Sequence, residues 1–264
     1  MNQAFLNEIW ACARDTAVSA GTLTRDIFTQ PRQITEKGLR DIVTDADTAA
    51  QKLITDTIQA QFPEHGFVTE EKDSTLPRSG PVIWVIDPVD GTSNYARQIP
   101  EYCVAVGAVA ESGQVVAGAI YDPMRDELFS AARGMGAQVN GRPLQVSQID
   151  QVKECMIAMD WARNKALRQS AMDLMPKFHQ KVSFPRVFGS AALAMAWVAA
   201  GRIDLYLNFA LQEWDIAAAS IILAEAGGRL TNLDGRPWTY PTHSGDCIAS
   251  NGRVHNAFLQ IIDN

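Results

Sequence analysis

The chain has 264 residues, of which 47% are hydrophobic and 20% charged, and its formal net charge is −7 at pH 7. This composition is typical of a soluble globular protein with one large domain or two smaller ones. The negative charge disfavours a nucleic-acid partner. The sequence has neither a bilayer-spanning apolar run nor a signal peptide, so we expect no membrane partner and a cytoplasmic location. The four cysteines form no C-x-x-C pair and are predicted to be buried free thiols.

In the first half of the chain, helical patterns come before strand patterns. Apolar residues at helical spacing predict an amphipathic helix over residues 2–28. A second helix begins at Thr44 or Asp45, both of which are helix-capping residue types, and ends at Phe62-Pro63. Runs of β-branched and aromatic residues, separated by turn residues, predict strands at 67–69, 82–86, 102–110, 115–122 and 127–132, followed by a hairpin over 134–143.

From about residue 146, strand and helix patterns alternate, which favours an α/β layer. The predicted strands are 155–159, 186–188, 203–208, 229–231 and 247–250. The predicted helices are 162–179, 189–200, 214–226 and 253–262. We therefore predict an N-terminal α+β subdomain, residues 1–145, that carries most of the metal ligands. A C-terminal α/β subdomain, residues 146–264, would carry Asp215 and the substrate pocket.

Acidic residues follow the buried strand at 82–86. Asp87 and Asp90 flank Pro88-Val89, and Gly91-Thr92 follow. Carboxylates are ligands that Mg²⁺ and other hard cations prefer, and backbone N–H groups in a turn bind anions such as phosphate. Taken alone, Asp-Pro and Asp-Gly are also typical of solvated turns.

Three other segments also carry acids directly after a predicted strand or at the start of a predicted helix. They are Glu70-Glu71, Asp45 with Asp47, and Glu213 with Asp215. Helix capping is an alternative role for Asp45 and Asp215. Together the acids predict a site for two or more divalent cations that polarise a phosphoryl group and activate a water. The histidines His65, His179, His243 and His255 lie in polar surroundings and are predicted to be surface residues.

Three motifs resemble those of the inositol monophosphatases, a Mg²⁺-dependent, lithium-sensitive family. They are Asp87-Pro-Val-Asp-Gly-Thr-Ser-Asn94, then Trp214-Asp-Ile-Ala-Ala-Ala with Glu225-Ala-Gly-Gly228, and the upstream pair Asp41-Ile-Val-Thr-Asp-Ala-Asp47 and Glu70-Glu71. The resemblance implies an α/β (α+β) fold, a layered α/β/α/β/α sandwich of the sugar phosphatase type, usually a homodimer. It also implies two or three Mg²⁺ ions and hydrolysis of a small polyol phosphate, inositol 1-phosphate above others, by metal-activated water.

The resemblance further implies a role for individual residues. The first metal would be held by Glu70, Asp87 and the carbonyl of Val89, the second by Asp87, Asp90 and Asp215, and a third would lie near Asp47 and Glu70. The water would be activated by Glu70 and by Thr92 paired with Asp47. The substrate-binding residues would be Asp90, Gly91, Thr92, Gly189, Ser190, Ala191, Asn208 and Asp215. Lys37 matches a basic residue that the family has before the segment that begins at Asp41.

One departure keeps the substrate open. Asn208 stands where many members have a glutamate that binds inositol hydroxyls, and an amide accepts such a bond without the charge. Histidinol phosphate, fructose 1,6-bisphosphate and a 3′-phosphonucleotide are alternative substrates. An aspartyl-nucleophile phosphatase, in which Asp87 forms a phosphoaspartate, is a second interpretation. A non-catalytic interaction protein is a third, disfavoured because such a protein has no need of many buried carboxylates.

Overall fold

Seven α-helices and three β-sheets form the part of the chain that the computed structural model describes, residues 1–38, 41–162, 164–183, 185–241 and 245–263. The helices are α1 (Gln3–Asp26), α2 (Asp45–Gln61), α3 (Thr92–Ala96), α4 (Lys165–Phe178), α5 (Ala191–Ala199), α6 (Glu213–Glu225) and α7 (His255–Asp263). The strands are β1 (Ile34–Gly38), β2 (Asp41–Thr44), β3 (Gly66–Thr69), β4 (Val82–Asp90), β5 (Cys103–Ala110), β6 (Val115–Asp122), β7 (Glu127–Ala132), β8 (Ala137–Val139), β9 (Arg142–Pro143), β10 (Ile157–Met159), β11 (Leu205–Leu211), β12 (Arg229–Thr231) and β13 (Gly245–Ser250).

The largest sheet has seven strands in the order β3-β4-β5-β6-β7-β8-β9. The pairing of β3 with β4 is parallel, and the other pairings in this sheet are antiparallel. Parallel neighbours end at the same edge of a sheet. The register pairs Thr69 with Ile86, so the next residues, Glu70 after the end of β3 and Asp87 within β4, are brought side by side.

The elements stack in five layers. Helices α1 and α2 pack on one face of the seven-stranded sheet, and α6 packs on the other face with α5 beside it. The four-stranded sheet, in the order β10-β11-β13-β12, contacts α5, and α4 and α7 pack together on its outer face. This arrangement confirms the predicted α/β/α/β/α sandwich.

The middle layer contains a helix, α5, that is apolar on every side. Every residue of α5 is buried, and five of its nine residues are alanine, as expected for a helix covered by a sheet on each side. The approach of α6 to the sheet is equally close. A Cβ atom on Gly118 in β6 would lie 2.7 Å from the carbonyl oxygen of Ala218, so only glycine fits there.

Most of the predicted elements are present, with two corrections. The antiparallel strands β5, β6 and β7 and the β8–β9 hairpin, with positive φ angles at Asn140 and Gly141, are confirmed. The predicted strand at 186–188 is wrong, since only Arg186 forms a single bridge there, to Ala158. All four cysteines are buried free thiols, as predicted.

The second correction concerns the histidines. His65 and His255 were predicted at the surface and are buried. Each ring is buried against polar partners: Trp84 donates its indole N–H to Nδ1 of His65 (2.9 Å), and the ring of His255 contacts the Thr231 and Ser250 hydroxyls. His179 is exposed, and His243 lies outside the described residues.

None of the described helices combines the length and the apolar character needed to cross a membrane. The predicted division into residues 1–145 and 146–264 stays a prediction.

Candidate active site

Three carboxylates converge at one end of the sandwich. Asp87, Asp90 and Asp215 each present an oxygen, and these oxygens lie within 4.8 Å of one another. Asp87 and Asp90 lie in the last four residues of β4, where the pairing with β5 is irregular. Asp215 lies in the first turn of α6. The irregular pairing allows both β4 carboxylates to face the same side. The convergence predicted from sequence is therefore present for these three acids.

Glu70 lies beside this group through the parallel β3–β4 register, and its backbone N–H donates to the carbonyl of Ile86 at 3.2 Å. It is not one of the three clustered acids, but its carboxylate acts on Asp87. Burial raises the pKa of Asp87 well above its ordinary value, and the charges of Glu70, Asp90 and Asp215 raise it further. A bound cation would oppose this shift by favouring the ionised form of the carboxylate.

Lys37 supplies one positive charge at the edge of the acids. Its Nζ lies 2.6 Å from a carboxylate oxygen of Glu71, 3.5 Å from one of Glu70 and 3.8 Å from one of Asp41. Burial alone would lower the pKa of Lys37, but Glu70 and the Glu71 hydrogen bond raise it above its ordinary value. Lys37 therefore stays charged and forms ion pairs with both Glu70 and Glu71.

Asp47 has two functions at the start of α2. One oxygen accepts hydrogen bonds from the backbone N–H of Thr44 (2.8 Å) and from its hydroxyl (2.5 Å), which completes a capping box. The other oxygen accepts from the hydroxyl of Thr92 at 3.1 Å. Burial raises the pKa of Asp47 to about 6. This one carboxylate therefore caps its own helix and also contacts Thr92, as the resemblance implied.

Thr92 is held at a fixed position by a tight turn. Gly91 has φ of 104°, a left-handed conformation that glycine adopts without strain, and a Cβ there would lie 2.9 Å from the carbonyl oxygen of Glu101. The buried Thr92 hydroxyl lies 3.0 Å from the carbonyl oxygen of Val89 and 3.1 Å from Asp47. This carbonyl, predicted as a metal ligand, thus already belongs to the same small network.

Asp90 joins the two halves of the chain. Its Oδ2 accepts from the Ser190 hydroxyl and from the backbone N–H of Ala192, both at 2.7 Å, and its Oδ1 accepts from the N–H of Ala191 at 3.2 Å. The carboxylate therefore caps the N-terminus of α5, where the helix dipole favours negative charge. Burial raises the pKa of Asp90, and these hydrogen bonds oppose that shift.

Asp215 also caps its own helix, because its Oδ2 accepts from the backbone N–H of Gln212 at 2.7 Å. One oxygen is thus engaged in capping, while Asp215 still belongs to the cluster of three acids. Helix capping and membership of the acid cluster are compatible for both Asp90 and Asp215.

Asn208 does not present a free amide. Its Oδ1 accepts from the backbone N–H groups of Phe209 (2.6 Å) and Ala210 (3.2 Å), and its Nδ2 donates to the Tyr206 hydroxyl at 2.9 Å. The Tyr206 hydroxyl in turn donates to Asp160 at 3.0 Å. Asn208 is only 6% exposed. Its orientation is set by the chain itself.

Asp160 is a residue that the sequence analysis missed. It directly follows β10, is 6% exposed, and its charge acts on Asp90. The sequence does contain a signal for Asp160, because it directly follows the predicted strand at 155–159, as Glu70 and Asp87 directly follow predicted strands.

A cavity of about 470 Å³ lies elsewhere, lined by residues of the β5–β6 turn, α6 and the segment before β13, among them Gly113, Trp238 and Tyr240, and by Arg133 after β7. It contains none of the clustered acids. The turn is at the opposite end of β5 from Cys103, which pairs with Asp90. The chemistry suggested by the acids therefore belongs to the other end of the sheet.

Comparison with known proteins identifies the family that the sequence motifs resemble. A model of the inositol monophosphatase family matches residues 6–264. The chain is 36% identical to Nus factor SuhB of Escherichia coli (strain K12) over 246 residues, 92% of this chain and 91% of the relative. It is 34% identical to the inositol-1-monophosphatase of Synechocystis sp. over 253 residues, 95% of this chain and 87% of that protein. The crystal structure of the extragenic suppressor protein suhB from Bartonella henselae superposes with a TM-score of 0.87 at 32% identity, covering 96% of this chain and 98% of that one.

Proposed function

Because this chain belongs to the inositol monophosphatase family, we propose that it is a Mg²⁺-dependent phosphomonoesterase that hydrolyses a small polyol phosphate, inositol 1-phosphate above others. The observation that carries this proposal is the cluster of Asp87, Asp90 and Asp215 within 4.8 Å, beside Glu70. Mutually repelling buried carboxylates are stabilised by bound hard cations.

The donor set fits divalent cations. Its members are carboxylates and one carbonyl, which are oxygen ligands of the type that Mg²⁺ takes. We assign Glu70, Asp87 and the Val89 carbonyl to a first ion, Asp87, Asp90 and Asp215 to a second, and Asp47 with Glu70 to the surroundings of a third. When bound, such ions neutralise phosphoryl oxygens and lower the pKa of a bound water.

The chain's own residues would orient the attacking water. Thr92 donates its hydroxyl proton either to Asp47 or to the Val89 carbonyl, at 3.1 and 3.0 Å, which leaves the lone pairs of its oxygen available to a water. Asp47, with a pKa raised to about 6, is suited to accept a proton through Thr92 near neutral pH. Glu70 would act on the same water from the other strand.

The opposite side of the site would bind the organic part of the substrate. Asp90, Gly91, Thr92, Gly189, Ser190, Ala191, Asn208 and Asp215 are the proposed contacts. Asn208 presents an amide whose oxygen and nitrogen already have partners, so it offers a substrate hydroxyl a weaker contact than a free carboxylate would. Histidinol phosphate, fructose 1,6-bisphosphate and a 3′-phosphonucleotide therefore stand as alternatives to inositol 1-phosphate.

A phosphate-release assay on these four substrates, with Mg²⁺ and with EDTA, tests the proposal. We expect hydrolysis of at least one of them with Mg²⁺ and none with EDTA. Hydrolysis that is unaffected by EDTA would overturn it. Failure to release phosphate from any of the four would favour the non-catalytic interpretation, and a trapped acyl-phosphate on Asp87 would favour the aspartyl-nucleophile mechanism.

We propose in addition a homodimer, inhibition by lithium and a cytoplasmic location, all of which rest on the family. Light scattering on the purified protein and a Li⁺ titration of its activity test the first two. The relatives named Nus factor make a nucleic-acid partner worth testing, although the net charge of −7 disfavours one. Fluorescence anisotropy with a labelled RNA at low salt measures this directly, and we expect no binding.

A further inference from the structure

A buried carboxylate on the substrate side of the site lies outside the set of acids described by the motifs. Asp160 follows β10, which pairs in parallel with β11 so that Met159 lies opposite Leu207. The next residues in register are Asp160 and Asn208, and the Asp160 N–H lies 3.4 Å from the Leu207 carbonyl. Two polar side chains, each 6% exposed, therefore lie next to each other at the same end of adjacent strands.

Asp160 has three donors, and each comes from a different residue. Its Oδ1 accepts from the backbone N–H groups of Phe188 (2.9 Å) and Gly189 (2.8 Å), and its Oδ2 accepts from the Tyr206 hydroxyl (3.0 Å). Hydrogen bonds to an ionised acceptor are roughly twice as strong as neutral ones. The carboxylate therefore anchors the segment before α5 to the edge of the four-stranded sheet.

The anchored segment leads directly to the groups that hold Asp90. Gly189, with φ of 73°, turns the chain into Ser190, whose hydroxyl donates to Asp90 at 2.7 Å. The N–H of Ala192 donates to the same oxygen, also at 2.7 Å. Gly189, whose backbone Asp160 holds, is followed directly by Ser190, whose side chain holds Asp90.

A second anchor fixes the other side of this segment. The side-chain amide of Asn94 donates to the carbonyl of Phe188 and to that of Glu101, both at 2.7 Å. Asp160 therefore holds N–H groups while Asn94 holds a carbonyl, and the peptide between Phe188 and Gly189 is constrained in both directions. Because these contacts fix the segment, the position of the Ser190 hydroxyl that binds Asp90 depends on the position of Asp160.

We propose that Asp160 is a positioning residue that sets the divalent-cation affinity of the acid cluster, because it holds the segment of Phe188, Gly189 and Ser190 in the position where it orients the Asp90 carboxylate towards Asp87 and Asp215. This inference rests on the proposed function for its role in turnover. Its effect on cation binding does not require turnover.

The test compares two buried aspartates of the same layer. Asp160→Asn replaces one carboxylate oxygen by an NH₂ group, which donates and cannot accept. The variant therefore loses either the hydrogen bond from Tyr206 or those from the two backbone N–H groups. Asp204→Asn is the matched control: Asp204 is also 6% exposed and holds the Ser147 hydroxyl and the N–H of Met156 (2.7 Å), but it lies just before β11, at the opposite end from Asn208.

Isothermal titration calorimetry of the full chain with Mg²⁺, and with Mn²⁺, gives the dissociation constant without substrate. We expect Asp160→Asn to raise it about tenfold, equal to about 1.4 kcal/mol. We expect Asp204→Asn to lower Tm while leaving the dissociation constant within about twofold of the parent chain. A dissociation constant for Asp160→Asn that also stays within about twofold would overturn the inference.

A second variant and the behaviour of the parent chain decide the remaining cases. If Asp160→Asn does not fold, Tyr206→Phe removes one of the three donors to Asp160, and we expect a smaller rise of about threefold in the dissociation constant; no change would contradict the inference. If the parent chain binds Mg²⁺ but hydrolyses none of the four substrates, the proposed function fails while the effect of Asp160→Asn on binding still decides this inference. If the parent chain binds neither cation, both fail.

Discussion

The two sides of the acid pocket stabilise their buried carboxylates in opposite ways. On the side built from β4, Asp87 accepts a backbone hydrogen bond from the N–H of Val89 at 3.0 Å and faces Glu70, Asp90 and Asp215. On the side built from β10, Asp160 accepts three hydrogen bonds from fixed donors. Both are more than nine-tenths buried.

The difference separates acids that need a cation from acids that the scaffold stabilises. Burial raises the pKa of both Asp87 and Asp160, but like charges add to the shift at Asp87, whereas hydrogen bonds oppose it at Asp160. Asp90 combines the two cases, since it belongs to the cluster and also receives three hydrogen bonds from the start of α5. The requirement for a cation is therefore greatest at the end of β4.

The largest expected effect comes from Asp87→Asn. Loss of a ligand shared by two proposed ions should lower kcat about a thousandfold, since metal ions supply several kcal/mol of stabilisation to the transition state. The free energy of unfolding in EDTA should stay the same or rise, because a repelling charge is removed. Phosphate release with Mg²⁺ and urea unfolding in EDTA measure the two quantities.

Asp90→Asn is the matched variant for that experiment. It should lose activity as well, but it should also lose stability in EDTA, because an amide cannot accept all three of the hydrogen bonds at the start of α5. Equal stability losses in Asp87→Asn and Asp90→Asn would erase the distinction between a repelled acid and a scaffold acid.

The next largest effect is the pH dependence of stability without metal. Asp47 has an ordinary pKa of 3.8 and a pKa of about 6 in the folded chain. Between these values the folded state binds a proton that the unfolded state has lost, so stability falls as pH rises through this window. Asp47 alone accounts for about 3 kcal/mol at about 1.4 kcal/mol for each pKa unit, and Asp87 and Asp90 shift in the same direction.

Urea unfolding in EDTA at intervals from pH 4 to pH 8 measures this loss. Addition of Mg²⁺ at the upper end should restore stability, because the ionised carboxylates then bind a cation that the unfolded chain does not hold. A free energy of unfolding in EDTA that rises over the same interval would contradict the description of the site as a set of repelled acids.

Thr92→Ala should lower kcat about a hundredfold, the lower end of the range for a group that assists proton transfer. Its hydroxyl is the link between Asp47 and the Val89 carbonyl. Thr92→Ser keeps the hydroxyl and should retain most of the activity, so the pair separates chemistry from packing. Steady-state kinetics at saturating Mg²⁺ measures both variants. Similar kcat values for alanine and serine would remove Thr92 from the proposed proton path.

The smallest effect is expected for Lys37→Ala. Partly exposed ion pairs are worth at most about 1 kcal/mol, so stability in EDTA should fall by about that amount as Glu70 and Glu71 lose their cation. With Mg²⁺ present the difference should shrink, because the ion then neutralises Glu70. Urea unfolding with and without Mg²⁺ measures the change. A larger loss with Mg²⁺ than without it would contradict a role for Glu70 in cation binding.

The five-layer sandwich was implied by the resemblance to the inositol monophosphatases, whereas the pattern of helices and strands alone favoured only an α/β layer in the second half of the chain. The sequence by itself determined the residue types of the site and most of the secondary structure, and the acids Asp47, Asp87, Asp90 and Asp215 each follow a predicted strand or begin a helix. These features are local, because hydrophobic periodicity, turn residues and helix caps act over a few neighbouring positions.

Only the tertiary structure decided which distant groups stabilise these acids. It brought Ser190 to Asp90 across 100 residues and placed Asp160 beside Asn208. It also buried His65 against Trp84, although Pro63 and Glu64, the two residues before it in sequence, are exposed. A hydrogen bond between residues far apart in the chain depends on how whole layers pack, and no local pattern of residues encodes that packing.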